Sequence, residues 1–333
     1  PSNSYLYLYG NMDMVEKLRY IDEEYLSKYD ALQVDSALTV EKPFVGTVTV
    51  EKEYPIMESE SEKKNSYLSY NVSLGKSLDR KTCFGFQVLV DVIGTVPGAK
   101  VKQAILDAGI GTDVICSFDS GVLQPYFSII AKNADIEQKE EFVRIIEEQL
   151  QKLAEEGLDK KTLQATLNYY EFKYREADFG SYPKGLMYGL NMLESWLYDD
   201  AKPFYYIELL DTYRELKDAV QTSFYEDMIR TLLLRNTHKS LVTVKPVKGL
   251  TGKKERKLAE ALATKKAQMS DAQIRQIVKE TAELKEYQEE PSPKEDLEKI
   301  PLLTRADMRK EATAYRNTEK KVGDTVLLHH DVF

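Results

Sequence analysis

A chain of 333 residues, 42% apolar and carrying 34 aromatic side chains, can bury an ample core without disulfides or a structural metal, and is too long for one small domain. Its 46 basic and 55 acidic residues leave a net charge of −9, which argues against nucleic acid as a partner, and no apolar run approaches the ~20 residues of a membrane span. Two cysteines, Cys83 and Cys116, exclude a disulfide framework and a four-cysteine zinc site; both lie in apolar surroundings and read as buried free thiols.

Ser4 to Tyr9 alternate strictly, Tyr5, Tyr7 and Tyr9 against Leu6 and Leu8, which is the period of a strand. Asp13 then caps a helix carrying Val15, Leu18, Ile21 and Leu26. Residues 33–46 read as an irregular linker. Two strands follow, 47–57 and 66–74, joined by a polar loop suited to a hairpin end. Lys81 to Ile93 turn helical, Pro97 suits the first turn of a next helix with Val101, Ile105 and Leu106, and Gly109 is its left-handed cap. An antiparallel pair over 112–131 is broken at Asp119-Ser120-Gly121.

Residues 139–156 place Phe142, Ile145, Ile146, Leu150 and Leu153 on one helical face, Gly157 stops the helix, and Asp159 caps another with Leu163, Leu167, Tyr170 and Tyr174. A third helix carries Leu186, Leu190, Leu193 and Trp196, and a long helical section spans 206–234. Ser240 to Val247 alternate as a strand that Pro246 restricts to an edge or an end. Composition shifts after Gly249: residues 251–300 hold 11 basic and 11 acidic side chains but one aromatic, Tyr287, as expected of two exposed helices. Ser270 to Gln273 form a capping box between them. Pro291, Pro293 and Pro301 end regular structure, and Thr325 to Phe333 begin another β segment.

No catalytic constellation emerges. The three histidines, His238, His329 and His330, lack the neighbouring ligands of a zinc motif and read as surface or strand positions, which also weakens any Ser-His-Asp or Cys-His proposal. Gly75-Lys76-Ser77 imitates the end of a phosphate loop, but Tyr70 stands where the first Gly belongs, so a strand-end turn is read. Gly109-Ile110-Gly111 lacks the third Gly of a dinucleotide fingerprint, and Asn71-Val72-Ser73, a sequon, lies inside a strand. Adjacent acids such as Glu155-Glu156 and Glu289-Glu290 read as wet surface.

Ser181-Tyr182-Pro183-Lys184-Gly185-Leu186, leading to Trp196-Leu197-Tyr198-Asp199 and Pro203 with Glu171 to Glu176 upstream, resembles a segment of the presequence-protease branch of the insulinase/pitrilysin zinc peptidases. Pro97 to Gly111, Gln124-Pro125-Tyr126, Leu302 to Met308, Pro1-Ser2-Asn3 and Tyr9 to Asp13 add to it in the right order. Val96 departs from the family, which tends to place a capping Ser there.

The resemblance implies an α+β fold, an antiparallel sheet with helices on one face followed by a charged helical hairpin. It implies four related domains in two halves around a peptide chamber, cut by a zinc-bound water whose ligands lie in the first domain. On this sequence, 1–45 would end the first domain, 46–250 would be the second, 251–322 the hairpin linker and 323–333 the start of the third. The chain is then a central fragment, inert alone, forming chamber wall and hinge; a catalytically inactive paralogue acting as scaffold is the alternative. No catalytic, cofactor-binding or metal residue is carried over. Zinc is expected in the full-length parent and no cofactor in this piece. The expected partners are peptides and the missing domains, and neither nucleic acid nor membrane. With no targeting segment in view, the expected compartment is the cytoplasm.

Overall fold

The computed structural model describes residues 2–308, 310, 311 and 316–331, so Pro1, Val332 and Phe333 of the expected terminal segments lie outside the described residues. The chain divides into two units, 1–256 and 257–333.

In the first unit, α1 (Met14–Glu24) starts where Asp13 accepts a hydrogen bond from the Glu16 amide at 3.0 Å. None of its residues is buried, and Val15 and Leu18 stand exposed. Residues 4–9 form no strand. Their alternation is real, but the tyrosines find a helix instead of a partner strand, as described below.

The sheet contains β1 (Val48–Ile56), β2 (Ser66–Ser73), β3 (Asp113–Asp119), β4 (Tyr126–Ala134) and β5 (Lys239–Lys248), in the order β1-β5-β2-β4-β3. The loop between β1 and β2 is therefore no hairpin: β5 inserts between them, parallel to β1 and antiparallel to β2. Of the edge or end expected around Pro246, the structure shows the end. Pro246 pairs only with β1, opposite Tyr54, because the β2 pairing stops at Val244. Its missing N–H costs no ladder bond on that open side.

Burial along β2 alternates strictly. Leu68, Tyr70 and Val72 face a core built with α2 (Arg80–Gly94), α3 (Lys100–Asp107) and α4 (Lys139–Glu156). On α2, Phe86 packs tilted against Phe118 and edge-on against Phe127, with ring centroids 5.1 and 5.6 Å apart. Gly94 leaves room for Cys116, since a Cβ there would overlap its sulfur. Pro97 lies before α3, not in its first turn. The Ala99 amide donates to Val96 O at 3.0 Å around Gly98 at φ 76°, a turn in which proline supplies the bend.

Gly157 at φ 89° ends α4, and the Asp159 carboxylate accepts the Lys161 and Thr162 amides to start α5 (Lys160–Glu176). Helix α6 (Lys184–Trp196) follows. The section 206–234 is two helices, not one: α7 (Leu210–Ala219) and α8 (Phe224–Met228), the latter running into a π-helical turn over Ile229–Leu234. Lys239 is buried at the start of β5. Its ammonium donates to Leu234 O at 3.3 Å, pairs with Glu147 at 3.6 Å and lies over the Tyr70 ring.

Helix α9 (Leu250–Ala267) leads into the second unit, which holds α10 (Asp271–Glu289), the short α11 (Lys294–Leu297) and a hairpin of β6 (Arg316–Val322) and β7 (Thr325–Asp331). Ser270 and Gln273 make the expected capping box. Leu258, Leu262, Val278 and Leu284 are exposed, as a narrow apolar stripe implied. Strand β6 was not foreseen, because its sequence, Arg-Asn-Thr-Glu-Lys-Lys-Val, carries no apolar alternation. Among the described residues, no helix is long and apolar enough to cross a membrane.

Candidate functional site

The helices cover one face of the five-stranded sheet, and the other face carries two cross-strand rows. Ser117, Ser128, Asn71, Ser240 and Val48 stand in register across β3, β4, β2, β5 and β1. Beside them run Ile115, Ile130, Ser69, Val242 and Val50. Asn71 is the hub of the first row. Its Oδ1 accepts from Ser128 Oγ at 2.7 Å and Ser69 Oγ at 2.9 Å, while its amide donates to Ser240 Oγ at 3.4 Å and Ser69 O at 3.2 Å. Most of these side chains are half-buried rather than core-buried. These two rows are uncharged, part hydroxyl and amide, part aliphatic. Its serines bond to an amide and not to a base, so the row can bind but has nothing to activate a nucleophile. The residue read as a discounted sequon is thus the centre of the polar row; its position on an outward strand register was the signal available in the sequence.

A second polar group lies where α6, the β3–β4 loop and the start of α2 meet. Ser120 Oγ donates to Glu194 Oε2 at 3.2 Å, and burial pushes the Glu194 carboxyl above the usual carboxylate range, with Asp119 adding to the rise. Tyr206 donates to Ser77 O. Cys83 Sγ lies 3.6 Å from the same oxygen, and burial pushes its thiol up to about 11. Burial likewise holds Cys116 up at about 12. Both thiols stay protonated at neutral pH, the opposite of a reactive cysteine. Sequence reading assigned Glu194 no role, since a single acid among α6 apolar residues gives no sign of its burial.

The remaining motif-like residues scatter. His238 precedes β5 with its ring edge-on to Phe44 at 4.4 Å. His329 and His330 are neighbours on β7, and His330 Nδ1 lies 2.6 Å from Asn317 Oδ1. These donors do not fit a zinc ion: adjacent strand residues point to opposite faces, and no group of three His, Cys, Asp or Glu side chains converges among the described residues. Gly75-Lys76-Ser77 is a strand-end turn, with Gly75 at φ 38°. Gly109 and Gly111 end α3 and let Lys132 O approach to 2.5 Å of a Cβ position at Gly111.

Comparisons with known proteins agree in direction. Residues 1–170 match the family model described as the peptidase M16 inactive domain, and residues 244–333 match the model of the region associated with M16 peptidases of subfamily C. The chain is 38% identical over 331 residues to protein HypA of Clostridium perfringens (strain 13 / Type A), covering 99% of this chain and 34% of that protein. It is 29% identical over 341 residues to presequence protease 1, chloroplastic/mitochondrial, of Arabidopsis thaliana, covering 100% of this chain and 31% of that one. The chain thus spans about a third of the length of these curated relatives. A solved mutant of the ferredoxin protease FusC, in complex with Arabidopsis ferredoxin, shares the fold at TM-score 0.50 and 12% identity, over 71% of this chain and 24% of that one.

Proposed function

This chain belongs to the M16 (insulinase/pitrilysin) peptidase family, in its presequence-protease-like branch, and we propose that it is the central, non-catalytic segment of a zinc-dependent metalloendopeptidase. The observation that carries this reading is the one-sided sheet. Its helix-covered face is core, and the two middle rows of its other face offer hydroxyls, an amide and short aliphatics without a nucleophile or base. Such a face suits the main chain and mixed side chains of an unfolded peptide, as one wall of an enclosed chamber. On this reading, residues 1–45 end the catalytic first domain, 46–250 are the second domain, 251–322 link the halves as a hinge, and 323–333 open the third. On this reading zinc belongs to the parent's first domain, as the family resemblance implies.

The test is the zinc content of the purified 333-residue chain after dialysis against a mild chelator, together with its cleavage of an unfolded peptide. Near-zero zinc and no cleavage are expected. One tightly held zinc per chain, or chelator-sensitive cleavage, would overturn the assignment.

A further inference from the structure

Helix α6 turns its small residues inward and its leucines outward. Gly185, Gly189, Met192 and Ser195 are buried, while Leu186 and Leu190 are about half exposed. Both glycines are covered by the extended segment 4–9 rather than by another helix. A Cβ at Gly185 would clash with the Tyr9 ring, and one at Gly189 would stand 2.8 Å from Tyr7. Tyr5 continues the row, its ring edge-on to Trp196 at 4.9 Å and its hydroxyl donating to Asp200 Oδ1 at 3.2 Å. Tyr7 also stacks on Tyr9, and Tyr9 packs on Tyr188.

The two periods match. Alternate residues of an extended chain step about 6.6 Å, and helix residues four apart step about 6 Å. Tyr9 and Tyr7 therefore meet Gly185 and Gly189 in turn, and the Trp196 ring, leaning toward the helix N-terminus, reaches back to Tyr5. Only glycine lets a tyrosine ring lie directly on the helix backbone. This explains why two glycines that weaken the helix they sit in lie where the alternating tyrosines pack.

We infer that residues 4–9 and α6 form a strap-and-slot joint, and that this joint fastens the segment preceding the sheet to the α+β body. If residues 1–45 end the catalytic domain, a premise taken from the function proposed above, the joint is also where that domain grips its neighbour.

The test replaces Gly185 and Gly189 together by Ala in the 333-residue chain. Alanine is the better helix former, so an unoccupied slot would make this double variant more heat-stable with unchanged Trp196 emission, and that result would sink the inference. An occupied slot gives the opposite. The rings are expelled, the emission of Trp196, the single Trp of the chain, shifts to the red, and chymotrypsin cuts at Tyr5, Tyr7 or Tyr9 several-fold faster, with no gain in Tm.

A second variant, with Tyr5, Tyr7 and Tyr9 all changed to Ala, leaves α6 untouched should the glycine variant misfold. It is expected to show the same red shift, and in its background the two alanines now raise Tm. Native Trp196 emission in the triple variant would equally overturn the joint. None of these readouts depends on zinc or peptide cleavage, so the joint and the domain assignment can fail separately.

Discussion

At the scale of single residues, the informative groups are buried polar atoms. Thr243 is fully buried on β5, and its hydroxyl has no hydrogen-bond partner among the described residues. Such a hydroxyl costs desolvation without return, and Val fills the same site with a better strand former. Thr243→Val is expected to stabilise the chain by about 1 kcal/mol, which thermal unfolding would register as a Tm higher by a few degrees. Glu194 makes a pH-dependent case. Burial raises its folded-state pKa above that of the unfolded chain, so the folded state binds more protons there. Its ionised form therefore opposes folding at neutral pH, and the penalty fades as pH falls through the raised value. Glu194→Gln is expected to raise Tm at pH 7.5 and to lose that advantage on acidification toward pH 4, still accepting the Ser120 hydrogen bond through its amide oxygen. A variant whose advantage was constant with pH would show that ionisation is not the cause.

At the scale of elements, local rules held where the hydrogen bonds are local. The caps at Asp13, Asp159 and Ser270 and the stop at Gly157 could be read directly, because a cap and the amides it serves lie within three residues of each other. Gly157 sits at φ 89° and ψ 165°, a conformation that a side chain makes costly. The turn is further tied by the Leu158 amide, which donates to Glu226 Oε1 at 3.0 Å. Gly157→Ala is expected to destabilise by about 2 kcal/mol, measurable as a lower denaturant midpoint with unchanged slope. Helix α6 shows where local reading stops. Its leucines suggested the face that packs, yet Leu186 and Leu190 stand about half exposed, while Gly185 and Gly189 are buried because tyrosines about 180 residues away cover them.

At the scale of the molecule, the uncovered sheet face is the candidate site, and little of it was legible. Asn71 and its serine partners come from three strands that are distant in sequence, and no local spacing announces the row. The proposed chamber wall makes a prediction for the full-length protein. Asn71→Lys places an unpaired charge in the middle of the row, facing away from the core. Peptide cleavage is expected to show a several-fold higher KM with kcat little changed, since the variant perturbs binding and no reacting group. A loss confined to kcat would instead place Asn71 near the chemistry, and unchanged kinetics would remove this face from the substrate's path.

The sequence by itself determined the α+β class, the helices over 139–156 and 160–176, the strand spans on either side of the Glu58–Asn65 loop and the exposed helices beyond Gly249. All of these rest on periodicity and on hydrogen bonds closed within a few residues. Tertiary structure alone decided that β5 enters between β1 and β2, that Tyr5, Tyr7 and Tyr9 lie on a helix instead of in a sheet, and that Asn71 gathers three serines on an uncovered face. Each of these depends on which distant surface is available to satisfy a locally sound pattern. An alternating segment is equally content with a strand edge or a glycine-lined helix until the rest of the chain supplies one of them.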